Sequence, residues 1–252
     1  MSYQDVLPMA VDKFLQKKSH ISNDYREEII GDNDRVPVGI DYPFKCIALL
    51  KITDHLNRTF PGTGFFISER CLITAGHCVY PDGQWAKKIE VIPAAKGQKR
   101  PYGSSIESRF RTVRGYINKE GDGQGSEYDY GAIILKNDHF YKQIQAYLGY
   151  ELIREPIPED QLELKLSGYA FDTYQIQHQS VGRIEEIETR RIFYDLDTEK
   201  GNSGSPLYRG RNGAPIRVTG IHTHGDKTKK VNSGVRLTTG SMKRWNEWSQ
   251  IN

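Results

Sequence analysis

Three polar side chains in this sequence have the types needed to hydrolyse a peptide bond. They are His77 in "CLITAGHCVY", Asp129 in "SEYDYGAIIL" and Ser203 in "GNSGSP". In hydrolysis by serine, a hydroxyl attacks the carbonyl, an imidazole takes its proton and returns it to the leaving group, and a carboxylate holds the imidazole in the right tautomer. The simpler interpretation of "GNSGSP" is a surface turn, because Gly, Asn, Ser and Pro are common turn formers.

The glycine two residues before Ser203 indicates a place for negative charge. Gly201 permits backbone conformations that other residues resist. The amides of Gly201 and Ser203 are therefore predicted to point together at the oxyanion that forms when a carbonyl is attacked. We expect no cofactor and no metal, because His222 and His224 would make a pair of ligands without an evident third.

The elements that must position these side chains are short strands. Runs rich in β-branched and aromatic residues recur with Gly, Asn, Asp and Pro between them, which favours an all-β sandwich or barrel over βαβ units. The strand-like runs cover residues 46–52, 64–68, 71–75, 131–136, 162–169, 191–197, 216–223 and 234–238. The segment "SMKRWNEWSQI" predicts a closing amphipathic helix with Ser241 as its cap. Residues 1–28 are predicted to form a helical extension outside the main domain.

Composition narrows the functional classes. The chain has 252 residues and a formal net charge of only +3, which gives no reason to expect nucleic acid or an anionic membrane as a partner. No run approaches the roughly 20 apolar residues that span a bilayer, and the amino end lacks the apolar core of an export signal. As written the chain is cytoplasmic, but its compartment stays open. Three cysteines cannot form a dense disulfide framework.

Taken together, "TAGHC", "DYGAIIL" and "GNSGSP" resemble the chymotrypsin-fold serine peptidases. Through "DNDRVPV", "YDLDTEKGNSGSPLY" and "GIHTHG" the chain is similar, more narrowly, to bacterial glutamyl endopeptidases related to V8 protease. The resemblance implies two six-stranded β-barrels with the site in the cleft between them. Residues 29–150 would form the first barrel, with His77 and Asp129, and residues 151–252 the second, with Ser203 and the closing helix.

The same resemblance implies cleavage of protein or peptide substrates after acidic residues. His222 matches the histidine that lines the specificity pocket of that family, and Thr198 matches its hydroxyl partner. Imidazole and hydroxyl can both donate hydrogen bonds to a substrate carboxylate. Asp197 favours the alternative of trypsin-like cleavage after Lys or Arg, because it stands where trypsin-like enzymes keep a selecting carboxylate. For His224, two residues beyond His222 and so facing the same way along a strand, we expect a structural role.

The family also implies activation by removal of an N-terminal segment. "EEIIGDNDR" aligns with the start of its mature enzymes, so residues 1–28 are predicted to be a propeptide. Cleavage between Glu28 and Ile29 by an activating protease would create a new ammonium beside the pocket. Many relatives join the position of Cys78 to another cysteine, but here we expect Cys71 and Cys78 to be unpaired buried thiols. A catalytically silent homologue that binds peptides as an added strand is the alternative from another functional class.

Overall fold

The protein is described by a computed structural model, which covers residues 28–118, 127–210, 215–226 and 229–251. Its main elements are strands connected by short loops and turns. The strands are β1 (Val36–Pro37), β2 (Ile47–Thr53), β3 (Thr59–Phe66), β4 (Cys71–Thr74), β5 (Lys88–Pro93), β6 (Ser105–Glu107), β7 (Phe110–Thr112), β8 (Gly131–Ile134), β9 (Gly149–Tyr150), β10 (Glu163–Gly168), β11 (His178–Ile187), β12 (Arg191–Tyr194), β13 (Pro206–Arg209), β14 (Arg217–Asp226) and β15 (Val231–Arg236). The helices are α1 (Gly76–Val79), α2 (Arg114–Ile117), α3 (His139–Ile144) and α4 (Thr239–Ser249).

The first half of the chain forms a half-barrel. Its seven strands pair antiparallel in the order β6-β5-β2-β3-β4-β8-β7. Strands β4 and β8 are buried along their whole length, which explains why their sequences are continuous apolar runs without alternation. The candidate His77 follows β4 in the sequence, and the candidate Asp129 precedes β8.

The second half forms a closed ring of six antiparallel strands. The order β11-β10-β13-β14-β15-β12 returns to β11 through the β11–β12 pairing. Its core contains Leu164, Leu166, Ile192, Tyr194 and Leu207. The predicted all-β fold of chymotrypsin type with a C-terminal helix is therefore confirmed, with one barrel closed and the other a half-barrel among the described residues.

One boundary of the predicted domains needs correction. We expected the first barrel to begin at residue 29, but Val36 and Pro37 pair with β11 of the second ring. Strand β9 likewise pairs with β14 of that ring. The N-terminal segment therefore crosses to the second half before the chain enters the first, while the division near residue 150 stays a prediction. The predicted helical extension lies outside the described residues, apart from residue 28.

Helix α4 closes the fold against the β core. Trp245 and Trp248 are buried, and the Trp245 ring packs edge-on against Phe65 of β3. The cap differs from our prediction: Thr238 is the N-cap and Ser241 sits at the third helical position, where each side chain bonds the other residue's backbone amide. This reciprocal capping box satisfies two backbone donors, one more than a single cap would.

All three cysteines are free and buried, which confirms the prediction for Cys71 and Cys78. Burial raises the pKa of Cys46 to about 12 and that of Cys71 to about 12, so both thiols stay protonated at neutral pH. Within the described part of the chain, every helix is too short or too polar to cross a bilayer.

Candidate active site

His77 is presented by helix α1, which starts immediately after the buried strand β4. The residue before it, Gly76, allows the Asp129 carboxylate and the Tyr116 ring to approach the backbone closely. A Cβ atom on Gly76 would lie 2.9 Å from Asp129 Oδ1 and 3.1 Å from the Tyr116 ring. Any side chain there would push the carboxylate away, so the "AGH" sequence is what lets the imidazole and the carboxylate meet.

Asp129 lies just before strand β8 and holds His77 by two contacts. Its Oδ1 accepts the His77 backbone N–H at 2.8 Å, and its Oδ2 lies 2.7 Å from His77 Nδ1. An ionised carboxylate is only an acceptor, so Nδ1 carries the proton of this bond. The ring is thereby fixed with Nε2 on its opposite edge, which is the nitrogen a general base would use.

The pair carries strongly shifted pKa values. Burial raises the pKa of Asp129, but the charge of His77 and the hydrogen bonds from His224 and His77 outweigh burial and hold that pKa far below its usual value. Burial lowers the pKa of His77, but the charge of Asp129 and its hydrogen bond outweigh it and raise that pKa well above the ordinary histidine value. The aspartate is therefore a permanent anion, and the imidazole readily holds a second proton.

Ser203 lies in the loop between β12 and β13, which we call the serine loop. This loop passes next to the helix that carries His77. Its backbone carbonyl accepts the Thr63 N–H at 2.9 Å and lies 3.7 Å from the Cys78 thiol. Cys78 directly follows His77 in α1. The fold thus brings the backbone of Ser203 beside the histidine helix, although the two residues lie far apart in the sequence.

Gly201, predicted to be an oxyanion donor, has a backbone conformation that favours glycine. Its φ is +102°, and a Cβ atom would lie 2.4 Å from the Tyr169 carbonyl oxygen. The carbonyl of Lys200 accepts the Phe171 N–H at 2.6 Å. In a trans peptide the N–H points opposite to the C=O, so this bond directs the Gly201 N–H away from Phe171.

His222 is tied to the same loop through its backbone. Its N–H donates to the Ser205 carbonyl and its carbonyl accepts the Gly204 N–H, both at 2.9 Å. The imidazole is fully buried, and its Nδ1 lies 2.6 Å from the hydroxyl of Tyr194, itself fully buried. Sequence reasoning missed Tyr194, because a tyrosine in an apolar strand has the pattern of a core residue.

Asp197 and Thr198, which precede Ser203 in the same loop, behave differently from each other. Thr198 is fully buried, and its hydroxyl has no hydrogen-bond partner among the described residues. Asp197 is also buried, but its Oδ1 accepts the Ile30 N–H at 2.6 Å and its Oδ2 the Asp34 N–H at 3.0 Å. The Asp197 carboxylate is thus occupied in holding the N-terminal segment.

The predicted processing junction lies beside Thr198. The Glu28 carbonyl accepts the Thr198 N–H at 3.1 Å and the Asn232 side-chain amide at 2.7 Å, and the Glu28 N–H donates to Asn232 Oδ1 at 3.1 Å. Residue 28 therefore contacts strand β15 and Thr198, which lies in the same loop as Ser203.

His224 occupies a place that we did not predict. A β-bulge separates it from His222: His222 pairs with Gly234, whereas His224 pairs with Ser233. The bulge breaks the alternation on which our expectation rested. His222 enters the second barrel, whereas His224 Nε2 lies 3.0 Å from Asp129 Oδ2 and its ring stacks on His77 at 5.1 Å between centroids.

The pair His222 and His224 therefore does not form a metal set. Among the described residues, the three-donor cluster is instead His77, Asp129 and His224, whose donor atoms lie within 4.8 Å of one another. Hydrogen bonds between these same atoms account for their proximity.

Comparison with known proteins settles the family. The sequence profile described as Trypsin matches residues 40–245. The chain belongs to the trypsin family. It is accordingly a serine protease of chymotrypsin fold, as the resemblance of its motifs implied.

Two curated proteins and one solved structure are similar to the chain over most of its length. An extracellular metalloprotease of Bacillus subtilis is 29% identical over 226 residues, which are 88% of this chain and 69% of that protein. A glutamyl endopeptidase of Bacillus licheniformis is 30% identical over 246 residues, which are 92% of this chain and 73% of that protein. A solved structure of Glu endopeptidase in complex with MPD superposes with a TM-score of 0.77 at 24% identity, covering 88% of this chain and all of the other.

Proposed function

We propose that this trypsin-family protein is an endopeptidase that cleaves after Glu, and less readily after Asp, with Ser203 as nucleophile. His77 Nε2 takes the proton of the Ser203 hydroxyl as that oxygen attacks the substrate carbonyl. Asp129 keeps the imidazole oriented and stabilises the imidazolium that forms. The amides of Gly201 and Ser203 donate to the oxyanion. The imidazolium then protonates the leaving amine, and water hydrolyses the acyl-enzyme by the same steps in reverse roles.

The observation that carries the acidic preference is the buried His222 beside the serine loop. Its Nδ1 faces the Tyr194 hydroxyl at 2.6 Å. When Tyr194 donates this bond, the ring proton is on Nε2, which then becomes a donor. The Thr198 hydroxyl, in the loop that carries Ser203, is a second buried donor without a partner among the described residues. A glutamate carboxylate entering here would receive charge-assisted bonds in a dry pocket.

The contacts of Asp197 argue against cleavage after Lys or Arg. A trypsin-like pocket needs a carboxylate that is available to the substrate cation. Here both oxygens of Asp197 accept backbone amides, from Ile30 and Asp34. The names of the similar Bacillus licheniformis protein and of the solved Glu endopeptidase agree with acidic specificity.

Processing between Glu28 and Ile29 forms part of the proposal. Removing residue 28 would free the Thr198 N–H and take from Asn232 its two bonds to Glu28, while the Asn232 amide would keep its bond to the Leu196 carbonyl. The new Ile29 ammonium would lie one residue from the amide that Asp197 holds. A positive charge there favours a substrate carboxylate. Amino-terminal sequencing of active protein should read Ile29, and fully active protein with an intact Met1 would contradict this step.

The nucleophile is tested by labelling with a fluorophosphonate. We expect labelling and peptide cleavage in the processed protein, and loss of both in Ser203→Ala. Activity should persist in EDTA, which separates the proposal from the metal-dependent chemistry named for the Bacillus subtilis relative. Folded, processed protein that neither labels nor cleaves would instead support a silent peptide-binding homologue.

The specificity is tested with peptides that differ only in the residue before the scissile bond. Glu should be cleaved fastest, Asp more slowly, and Gln slowly, because Gln has the shape of Glu without its charge. Replacing His222 with Phe should remove the preference for Glu over Gln. Cleavage of the Arg peptide faster than the Glu peptide would overturn the acidic assignment and restore the trypsin-like one.

A further inference from the structure

We propose that His224 is a positioning residue of the active site, which holds the Asp129 carboxylate and tunes the basicity of His77. The inference rests on the proposed function, because it assumes that Asp129 and His77 do the chemistry. It adds a second imidazole to the carboxylate, one that resides on strand β14 of the other barrel.

Three donors converge on the Asp129 carboxylate. Oδ1 takes the His77 N–H at 2.8 Å, while Oδ2 takes both His77 Nδ1 at 2.7 Å and His224 Nε2 at 3.0 Å. The carboxylate is completely buried, so each of its oxygens must be satisfied from within the protein. Without His224, His77 would be the single residue holding this anion among the hydrogen bonds described for it.

The β-bulge on β14 is what directs His224 to this place. In regular alternation, residues two apart share a face, so His224 would follow His222 into the second barrel. The extra residue in the bulge turns the strand and re-aims the side chain. The Ser233 hydroxyl donates to the His224 carbonyl at 3.1 Å on the facing strand, which fixes the bulged backbone.

The contact determines the proton on His224. An ionised carboxylate only accepts, so Nε2 of His224 must donate, whether the ring is neutral or charged. A neutral donor partly compensates the negative charge of Asp129, which otherwise raises the pKa of His77. A charged ring, stacked 5.1 Å from His77, repels a second positive charge. Both forms therefore make His77 easier to deprotonate.

Three titratable side chains lie around His77. Asp129 faces it from the start of β8, Cys78 follows it on α1, and His224 faces it from β14. Of these three, His224 is the one that donates to the Asp129 carboxylate. Its removal should therefore shift the acid limb of kcat/KM to higher pH, and should lower kcat because the carboxylate and the imidazole are held less firmly.

The experiment compares three variants of the processed enzyme in buffers that contain EDTA. His224→Phe keeps a ring that can stack on His77 but removes the donor, His224→Gln keeps an N–H donor at similar reach, and His139→Phe on helix α3 is the matched control. We expect His224→Phe to lower kcat about 10- to 100-fold with KM nearly unchanged, as for a lost hydrogen bond to a charge. His224→Gln should recover most of kcat, and His139→Phe should resemble the wild type.

Two further readouts separate positioning from a general structural role. The acid limb of His224→Phe should move to higher pH, and the low-field proton resonance of His77 Nδ1–H should shift. Thermal unfolding of each variant shows whether it is folded. If His224→Phe does not fold, the His224→Gln enzyme must still show most of the wild-type kcat together with a changed Nδ1–H resonance, and a wild-type resonance would refute the proposal.

The result can also be told apart from failure of the proposed function. His77→Ala and Ser203→Ala are assayed in parallel. If these variants stay fully active, the triad itself is wrong. If they are inactive while folded His224→Phe retains kcat within twofold and an unchanged acid limb, only the role of His224 is refuted.

Discussion

The proposed oxyanion hole can be tested most directly by substituting Gly201. Replacing Gly201 with Ala adds one methyl group at a backbone φ of +102°, and that group would lie 2.4 Å from the Tyr169 carbonyl oxygen. This approach is about 1 Å shorter than the 3.4 Å at which ordinary contact begins. The peptide between Lys200 and Gly201 must therefore rotate or shift by roughly that amount.

A shift of about 1 Å is enough to remove one oxyanion donor. Such donors act only when they lie about 2.7–3.1 Å from the developing negative charge, and losing one costs about 10²- to 10³-fold in kcat. The strained φ adds roughly 1–3 kcal/mol to the free energy of the folded state. We therefore expect Gly201→Ala to lose at least about 100-fold in kcat, a loss far larger than strain elsewhere would cause.

The assay is steady-state cleavage of a Glu peptide, with active sites counted by fluorophosphonate and folding monitored by thermal unfolding. Gly103→Ala is the matched control, because Gly103 also has a positive φ, of +75°, but open space where the Cβ would be. The control should lose stability and keep kcat. Folded Gly201→Ala with kcat within threefold of the wild type would refute the assignment of this amide to the oxyanion hole.

Three other predictions test the pocket and the charge pair. Tyr194→Phe leaves His222 Nδ1 without its 2.6 Å partner, so kcat/KM should fall about tenfold for a Glu peptide and much less for a Gln peptide; equal losses would contradict the role of Tyr194. Activity should disappear as the pH falls through the raised pKa of His77, because an imidazolium cannot accept a proton; an acid limb with its midpoint below about 6.5 would contradict the influence of Asp129. Asp197→Asn should lower the unfolding temperature, because Asp197 holds two backbone amides, and should leave the preference for Glu intact. If the wild type instead prefers Arg and this variant loses that preference, Asp197 selects the substrate.

The sequence predicted those parts of the site whose chemistry is encoded locally. Small residues around His77 and Ser203 indicate places where backbone and side chains approach closely, and the structure shows the reason at Gly76 and Gly201. The meeting of His77 with Asp129 followed from the types and order of the residues, together with the family resemblance. Buried strands such as β4 and β8 were predicted because continuous apolar runs of four or more residues are distinctive.

What the sequence could not reveal depends on register and on long-range contacts. Strand β11 was missed because most of its residues are polar or exposed and give little periodic signal. The second ring needs this strand for closure, since it pairs with β1, β10 and β12. Tyr194 was missed because the contact that distinguishes it joins it to His222, 28 positions away in the sequence.

A single irregularity in β14 explains how one strand can serve both halves of the proposed site. Two histidines on a regular strand, two residues apart, would enter the same pocket and compete for the same contacts. The bulge sends His222 to Tyr194 in the second barrel and His224 to Asp129 at the edge of the first. In the function that we propose, specificity and the orientation of the general base would thereby depend on neighbouring residues of one strand. A change that straightens this bulge should therefore damage both the preference for Glu and the pH dependence of kcat.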